Sequence, residues 1–289
     1  MSSNEPTGVF GLDFGTENLV HRIGLYASAI LMAAIGVFPI YWIVQNALKT
    51  RNAILAGLSW LPRGDAFTLQ NLQVVFTGEI AQYFINSIIV TVGTIVFVII
   101  VSTISGYGLA RFEFKHKINF ARFLLFGYMF SPIVLGVPLF LIWRNLNLIN
   151  THVGLILALS AISMPFCVWL MWKYIQTIPE SMEESAWVVG ASRKRAFVDV
   201  VLPQCKPAIV ATALFAFALA WTDFTFAMVL LPDSEMTTFA PGILRIVLGS
   251  YNVSWGQIMA ASLLMTVPAL VFAYSLQSYL LKGFEIRSL

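Results

Sequence analysis

Charged side chains are scarce in this sequence. Asp, Glu, Lys and Arg make up 11% of its 289 residues, against roughly 25% in an ordinary soluble domain. With 58% hydrophobic residues and a mean hydropathy of +0.82, the chain cannot build a water-compatible surface, and composition leaves membrane embedding as its class. Cysteine is rare too. Of the two present, Cys167 falls in an apolar run and Cys205 in the polar stretch beyond it, which excludes a disulfide framework. No His/Cys/Asp/Glu cluster has metal-ligand spacing, and neither a nucleophile elbow nor a Walker A sequence occurs. The chain therefore offers no metal site, no catalytic residue and no ATPase of its own. Internal repeats and low-complexity segments are missing as well. A cleavable signal is not expected, because Glu5, Asp13 and Glu17 precede Arg22 and the following apolar run is too long for a signal's core. The net charge of +3 gives no hint of nucleic acid.

Long apolar runs, by contrast, are plentiful. About 20 apolar residues span a bilayer as a helix, and six such runs occur, at 24–44, 87–105, 120–143, 153–174, 208–231 and 257–281. They lack the period-two alternation of barrel strands, and a helix satisfies every backbone group within one segment. The expected fold is an all-α membrane protein with six transmembrane helices. Basic residues set its orientation: with both termini inside, the cytoplasmic parts hold 12 of the 17 Lys and Arg. The other side holds only Lys49, Arg51, Arg63, Arg144 and Arg245. This predicts an N-in/C-in membrane domain at 24–281, tails at 1–23 and 282–289, and a cytoplasmic insert at 179–206.

Between Lys49 and Tyr83, with the turn signal Pro62-Arg63-Gly64-Asp65, short amphipathic pieces are expected outside. Ser105, Gly106 and Gly108 predict close helix packing. Pro132, Pro138, Pro165 and Pro268 predict kinks. Six spans are few for a complete pore, so a dimeric or heteromeric arrangement is expected.

The insert carries the most specific pattern. Ser181-Met182-Glu183-Glu184 has the form of a capping box, which places Ser181 at a helix N-cap accepting from the Glu184 N–H. Glu180, Glu183 and Glu184 put negative charge at the positive end of that helix's dipole. Met182, Ala186 and Val189 share one face by their spacing, and Gly190 supplies the left-handed stop. A second helix is predicted from Ser192 to just before Pro203. Its first turn holds Arg193, Lys194 and Arg195, the wrong charge for the dipole, which suits an inner membrane face or an acidic partner. On these residues alone two readings stand, a solvated hairpin resting on the membrane or a surface fitted to another protein.

Glu184-Ser185-Ala186, then Gly190, then Leu202-Pro203 resembles the EAA loop of the permease subunits of bacterial and archaeal ABC importers. Ser185 replaces that loop's first alanine, and Val189 stands where many members have aspartate. Asn86-Ser87, Gly106 through Phe112, Val137 through Phe140, Leu146 through Thr151, Pro165-Phe166 and Trp221-Thr222-Asp223-Phe224 are similar to the carbohydrate subgroup of this MetI-like family, of the type of the maltose system's second permease. The C-terminal Gly283 through Leu289 departs from that pattern.

The resemblance implies ATP-driven import of a mono- or oligosaccharide, or of a polyol or glycerol phosphate, across a prokaryotic cell membrane. It implies a second homologous permease, a homo- or heterodimeric cytoplasmic ATPase that holds ATP and Mg, and an extracytoplasmic solute-binding protein. This chain itself would carry no cofactor and would contact membrane lipid. The insert's first helix would dock into the ATPase, with Glu183, Glu184, Ser185, Ala186, Val189, Gly190, Leu202 and Pro203 as coupling residues.

Asp223 is the one carboxylate well inside an apolar run, where insertion costs about 2.5–3.5 kcal/mol at a helix centre. With Trp221 and Phe224 it forms a candidate path site, rings stacking on apolar sugar faces while the carboxylate accepts hydroxyl protons. Two other readings stand beside it: Asp223 bonding to backbone in a helix gap, and Asp223 as the ion site of a secondary transporter. Pro232 to Trp255, with Asp233, Glu235 and Tyr251, is expected as an outer loop. It is either an ordinary connection or, as the resemblance implies, one that reaches the binding protein.

Overall fold

A computed structural model describes residues 19–57, 59–127, 129–249 and 254–285, with side chains from 23 to 275 within those ranges. The tail expected at 1–23 lies mostly outside the described residues, as do Tyr251 and the last four residues of the chain. The helices are α1 (Leu19–Ala47), α2 (Arg51–Leu55), α3 (Gln70–Val75), α4 (Glu79–Arg111), α5 (Lys117–Gly127), α6 (Pro132–Asn145), α7 (His152–Ile175) and α8 (Ser181–Val188). They continue with α9 (Arg193–Ala196), a π turn (Phe197–Val201), α10 (Leu202–Gln204), α11 (Lys206–Trp221), α12 (Thr225–Leu230), α13 (Phe239–Gly249) and α14 (Trp255–Glu285). Among these, α1, α4, α7 and α14 each hold a stretch long and apolar enough to cross a membrane. Two bent pairs, α5 with α6 and the 193–204 segment with α11, raise the number of spans to as many as six.

The run at 120–143 is broken rather than kinked. Helices α5 and α6 meet at 99°. Ser131 takes extended geometry at φ −65° and ψ 135°, because the ring of Pro132 bars the preceding residue from the α region. The run at 208–231 is also divided, with α11 stopping at Trp221 and α12 restarting at Thr225. The outer loop expected at 232–255 contains a helix, α13. Pro138, Pro165 and Pro268 lie inside helices.

Contacts divide the chain into two units, Met1–Leu72 with Ser254–Leu263, and Gln73–Val253 with Leu264–Leu289. In the first, an antiparallel bridge joins Lys49 to Phe67, and the Asn71 amide donates to the carbonyls of Ala47 and Lys49. The short helical pieces expected between Lys49 and Tyr83 are α2, a 3-10 turn at Gly64–Ala66, and α3. The Lys49 amine is buried and donates to the Ser59 carbonyl at 2.5 Å. Burial lowers its pKa, since the charged form loses hydration there.

In the second unit, α4 packs against α7 and α11. A Cβ on Gly106 would stand 2.7 Å from Met171 Cβ and 2.9 Å from Trp172 N, so only glycine permits that approach. Leu109, Ala110, Met171, Ile175, Val201, Cys205 and Ala208 close the core around it. Cys167 and Cys205 are both free and buried.

Candidate functional site

Helix α8 starts one residue earlier in its geometry than the capping box predicts. Glu180 is the N-cap and already helical, at φ −64° and ψ −29°, with no side-chain cap. Its carbonyl accepts the N–H groups of Glu183 (2.9 Å) and Glu184 (3.1 Å). Ser181 is therefore the first helical residue, and its carbonyl receives the Ser185 hydroxyl at 2.7 Å. The helix ends as expected. Gly190 takes φ +91°, its N–H donates to Trp187, and the Ala191 N–H donates to Ala186, the paired bonds of a Schellman stop.

The faces of α8 run against the usual amphipathic pattern. Its buried residue is Glu183, 1% exposed, whereas Val188 and Val189 are each 88% exposed and Met182 and Trp187 are exposed as well. Glu184 and Ser185 are exposed, and Ala186 is half-buried. Glu183 turns inward because the C-terminal end of α4 meets it. Arg111 Nε donates to Glu183 Oε1 at 2.5 Å, and the Tyr107 hydroxyl donates to Oε2 at 2.7 Å. The same guanidinium reaches the Ile178 carbonyl at 3.0 Å and Glu180 at 3.6 Å. Glu183 is buried and the Arg111 side chain is 9% exposed, so removing the arginine leaves an uncompensated buried charge, a loss of about 3–5 kcal/mol.

The basic triplet also finds partners within the chain. Ser192 caps α9 by accepting the Arg195 N–H. Arg195 pairs with Asp199 one turn on at 3.3 Å. The Arg193 guanidinium lies 5.3 Å from the Trp187 ring and 5.9 Å from Phe112, joining α8 to the residue that ends α4. Pro203 does not stop this helix. It sits at the start of α10, after the π turn. A wider turn there spares the ring its clash with the carbonyl four residues back, so the helix continues to Gln204.

Of the three candidate path residues, Phe224 alone is exposed. Trp221 is 6% exposed, donates its indole N–H to the Met265 carbonyl at 3.1 Å and stacks on Phe217 at 5.4 Å. Its ring is thus taken up by packing. Asp223 accepts the N–H groups of Phe226 (3.3 Å) and Ala227 (2.9 Å), closing the exposed start of α12. Among the described residues no group of His, Cys, Asp and Glu stands close enough to hold a metal ion.

Residues 102–286 match the family described as binding-protein-dependent transport system inner membrane component. The chain belongs to this family. It is a permease subunit of an ABC importer, an inner-membrane transport component rather than an enzyme. It is 31% identical over 248 residues to the diacetylchitobiose uptake system permease protein NgcG of Streptomyces coelicolor, covering 85% of this chain and 82% of that one. It is 30% identical over 276 residues to the trehalose/maltose transport system permease protein MalG of Thermococcus litoralis, covering 94% and 98%. A solved structure of a bacterial ABC transporter that imports the acidic polysaccharide alginate matches with a TM-score of 0.79 at 22% identity, over 92% of this chain and 99% of that one. That likeness carries the fold.

Two further groups in the permease were quoted in the sequence pattern without a role. Asn86, fully buried, donates to the carbonyls of Glu235 and Thr237 at 2.8 Å each, and the Ser87 hydroxyl accepts the Phe239 N–H. Asn150, at φ +59°, pairs with Asp233 through both its amide nitrogen and its oxygen. These contacts latch the 232–239 segment onto the N-terminal end of α4 and the α6–α7 turn. A buried asparagine opening an apolar run was the signal for the first. The αL-tolerant Asn147 and Asn150, bracketing a four-residue turn, were the signal for the second.

Proposed function

We propose that this permease is one of two homologous membrane subunits of a carbohydrate importer, taking up a mono- or oligosaccharide delivered by an extracytoplasmic binding protein. The relatives named for diacetylchitobiose and for trehalose and maltose, each matched over most of their length, support a sugar as the cargo. The permease sits N-in/C-in in the membrane with six spans, two of them interrupted.

The observation that carries the coupling role is α8. It is a short helix held to α4 by its buried Glu183 while Val188, Val189, Trp187 and Met182 stand uncovered. A helix that buries its charge and shows its apolar side chains is built to be covered by something else. That partner is a homo- or heterodimeric ATPase holding ATP and Mg. Glu184, Ser185, Ala186, Val189 and Gly190 form the docking surface, and Leu202 and Pro203 close the insert against α11. Glu183 serves from the inner side of that surface. ATP-driven closure moves α8, and rocking of the spans switches the path from one side to the other. In that path Phe224 and Asp223 border the gap between α11 and α12.

Reconstitution tests this reading. The permease, its partner permease and the ATPase in proteoliposomes, with the binding protein outside, should accumulate sugar only when ATP is supplied. Uptake driven by an ion gradient without any ATPase would sink the proposal and favour an Asp223 ion site. Retention of a polyol or glycerol phosphate by the binding protein, with no sugar bound, would change the cargo but keep the mechanism.

A further inference from the structure

The anchors at the two ends of α4 belong to one device. Helix α4 has 33 residues, and its anchored stretch from Asn86 to Arg111 covers about 38 Å at 1.5 Å per residue, enough to cross the roughly 30 Å hydrocarbon core of a bilayer. At its C-terminal end, Tyr107 and Arg111 grip Glu183 of the docking helix, and Arg193 brackets Phe112 and Trp187 beside them. At its N-terminal end, Asn86 and Ser87 hold the main chain of Glu235, Thr237 and Phe239. Between these ends α4 packs on α7 and α11, and Gly106 brings it against Met171 and Trp172 of α7 with no room for a side chain.

We infer that α4 is the strut that carries the state of the docking helix to the Pro232–Phe239 segment on the opposite face of the membrane. Arg111, Tyr107 and Glu183 are positioning residues at one end, and Asn86 and Ser87 at the other. This rests on the reading of α8 as the ATPase-docking helix. A buried charge pair suits such a link. It resists separation, since each charge would be left unpaired in a low-dielectric setting, whereas an exposed pair would slip. The link also works in both directions. A partner that favours one position of the 232–239 segment biases the docking helix by the same factor as the reverse.

The test uses the whole importer in proteoliposomes and reads ATP hydrolysis with and without sugar-loaded binding protein, normalised to assembled complex. Glu183→Gln keeps the size of the side chain and a partner for Tyr107 but removes the charge. It should cut the stimulation by binding protein about tenfold relative to the same variant's unstimulated rate, one decade in the coupling equilibrium. Asn86→Ala, at the far end, should cut the same stimulation. The double variant should lose little more than either alone, because both sever one link. A merely structural role for these residues would lower the yield of assembled complex without changing the stimulation per complex.

Full stimulation in assembled Glu183→Gln complex overturns the inference. If Glu183→Gln does not assemble, Tyr107→Phe decides the matter. It removes one hydrogen bond from the grip while the ion pair stays, and unchanged stimulation there counts against the strut. Failure of the underlying reading would look different, since wild-type complex would then show no ATP-dependent uptake at all.

Discussion

At the C-terminal end of α4 the anchor is ionic and side chain meets side chain, Arg111 against Glu183. At the N-terminal end it is neutral and side chain meets main chain, Asn86 and Ser87 against the backbone of Glu235, Thr237 and Phe239. The first kind of anchor specifies both partners, so the register of α8 on α4 depends on two particular residues. The second kind specifies one partner and reads only the path of the other. Apart from Asp233, whose carboxylate bonds to Asn150, residues 232–236 can thus change their exposed side chains without losing the latch on α4. An anchor of the first kind holds its helix by the identity of two residues, and one of the second kind holds its segment by shape.

The largest effect should come from breaking the ionic end. Arg111→Ala strands Glu183 in the interior and should lower stability by about 3–5 kcal/mol, read as a drop in thermal midpoint of the purified permease. An unchanged midpoint would mean that the pair is solvated. At the neutral end, Asn86→Ala leaves two carbonyls unsatisfied at a cost of about 1–3 kcal/mol. Limited proteolysis should then cut within 232–239 faster, while cleavage near α8 keeps its wild-type rate.

Gly190→Ala sharpens the ionic end from the side of the backbone. An added Cβ there meets nothing within 4 Å, so the strain of positive φ alone acts, about 1–2 kcal/mol. Co-purification of the ATPase should fall while the permease itself stays folded, and Gly190→Pro should abolish coupling. Asp223→Asn keeps an oxygen for the α12 N–H groups and should shift stability by less than about 1 kcal/mol. A changed half-saturation for uptake in that variant would place the carboxylate on the path. Glu235→Ala should be the mildest, within about 0.5 kcal/mol. Asn86 bonds to the carbonyl and not the side chain, so accelerated proteolysis in this variant would refute the shape-reading latch.

The long helices were legible because apolar length is a local property. All four helices that qualify alone as spans fall on predicted runs. The stop at Gly190 was legible for the same reason, since only the backbone conformation of one residue decides it. Breaks and faces were harder. Pro132 announced itself, but whether a proline kinks a helix or divides it depends on what covers the freed groups. Ser181 looked like a cap until Glu180, held near Arg111, took helical geometry first.

Glu183 is among the coupling candidates by its motif alone, and its partner Arg111 lies 72 residues away, beyond the reach of any local pattern. The packing of Trp221 lies across the same kind of gap. An indole beside a carboxylate suits a sugar, yet here the Met265 carbonyl and Phe217 had already taken it.

The two thiols carry a practical consequence. Cys167 and Cys205 are free and fully shielded, so a water-borne maleimide should leave both untouched in the folded permease. A single cysteine placed at Val188 would then be the sole reactive handle. Reporter dyes or spin labels could be fixed on α8 without first replacing the native cysteines.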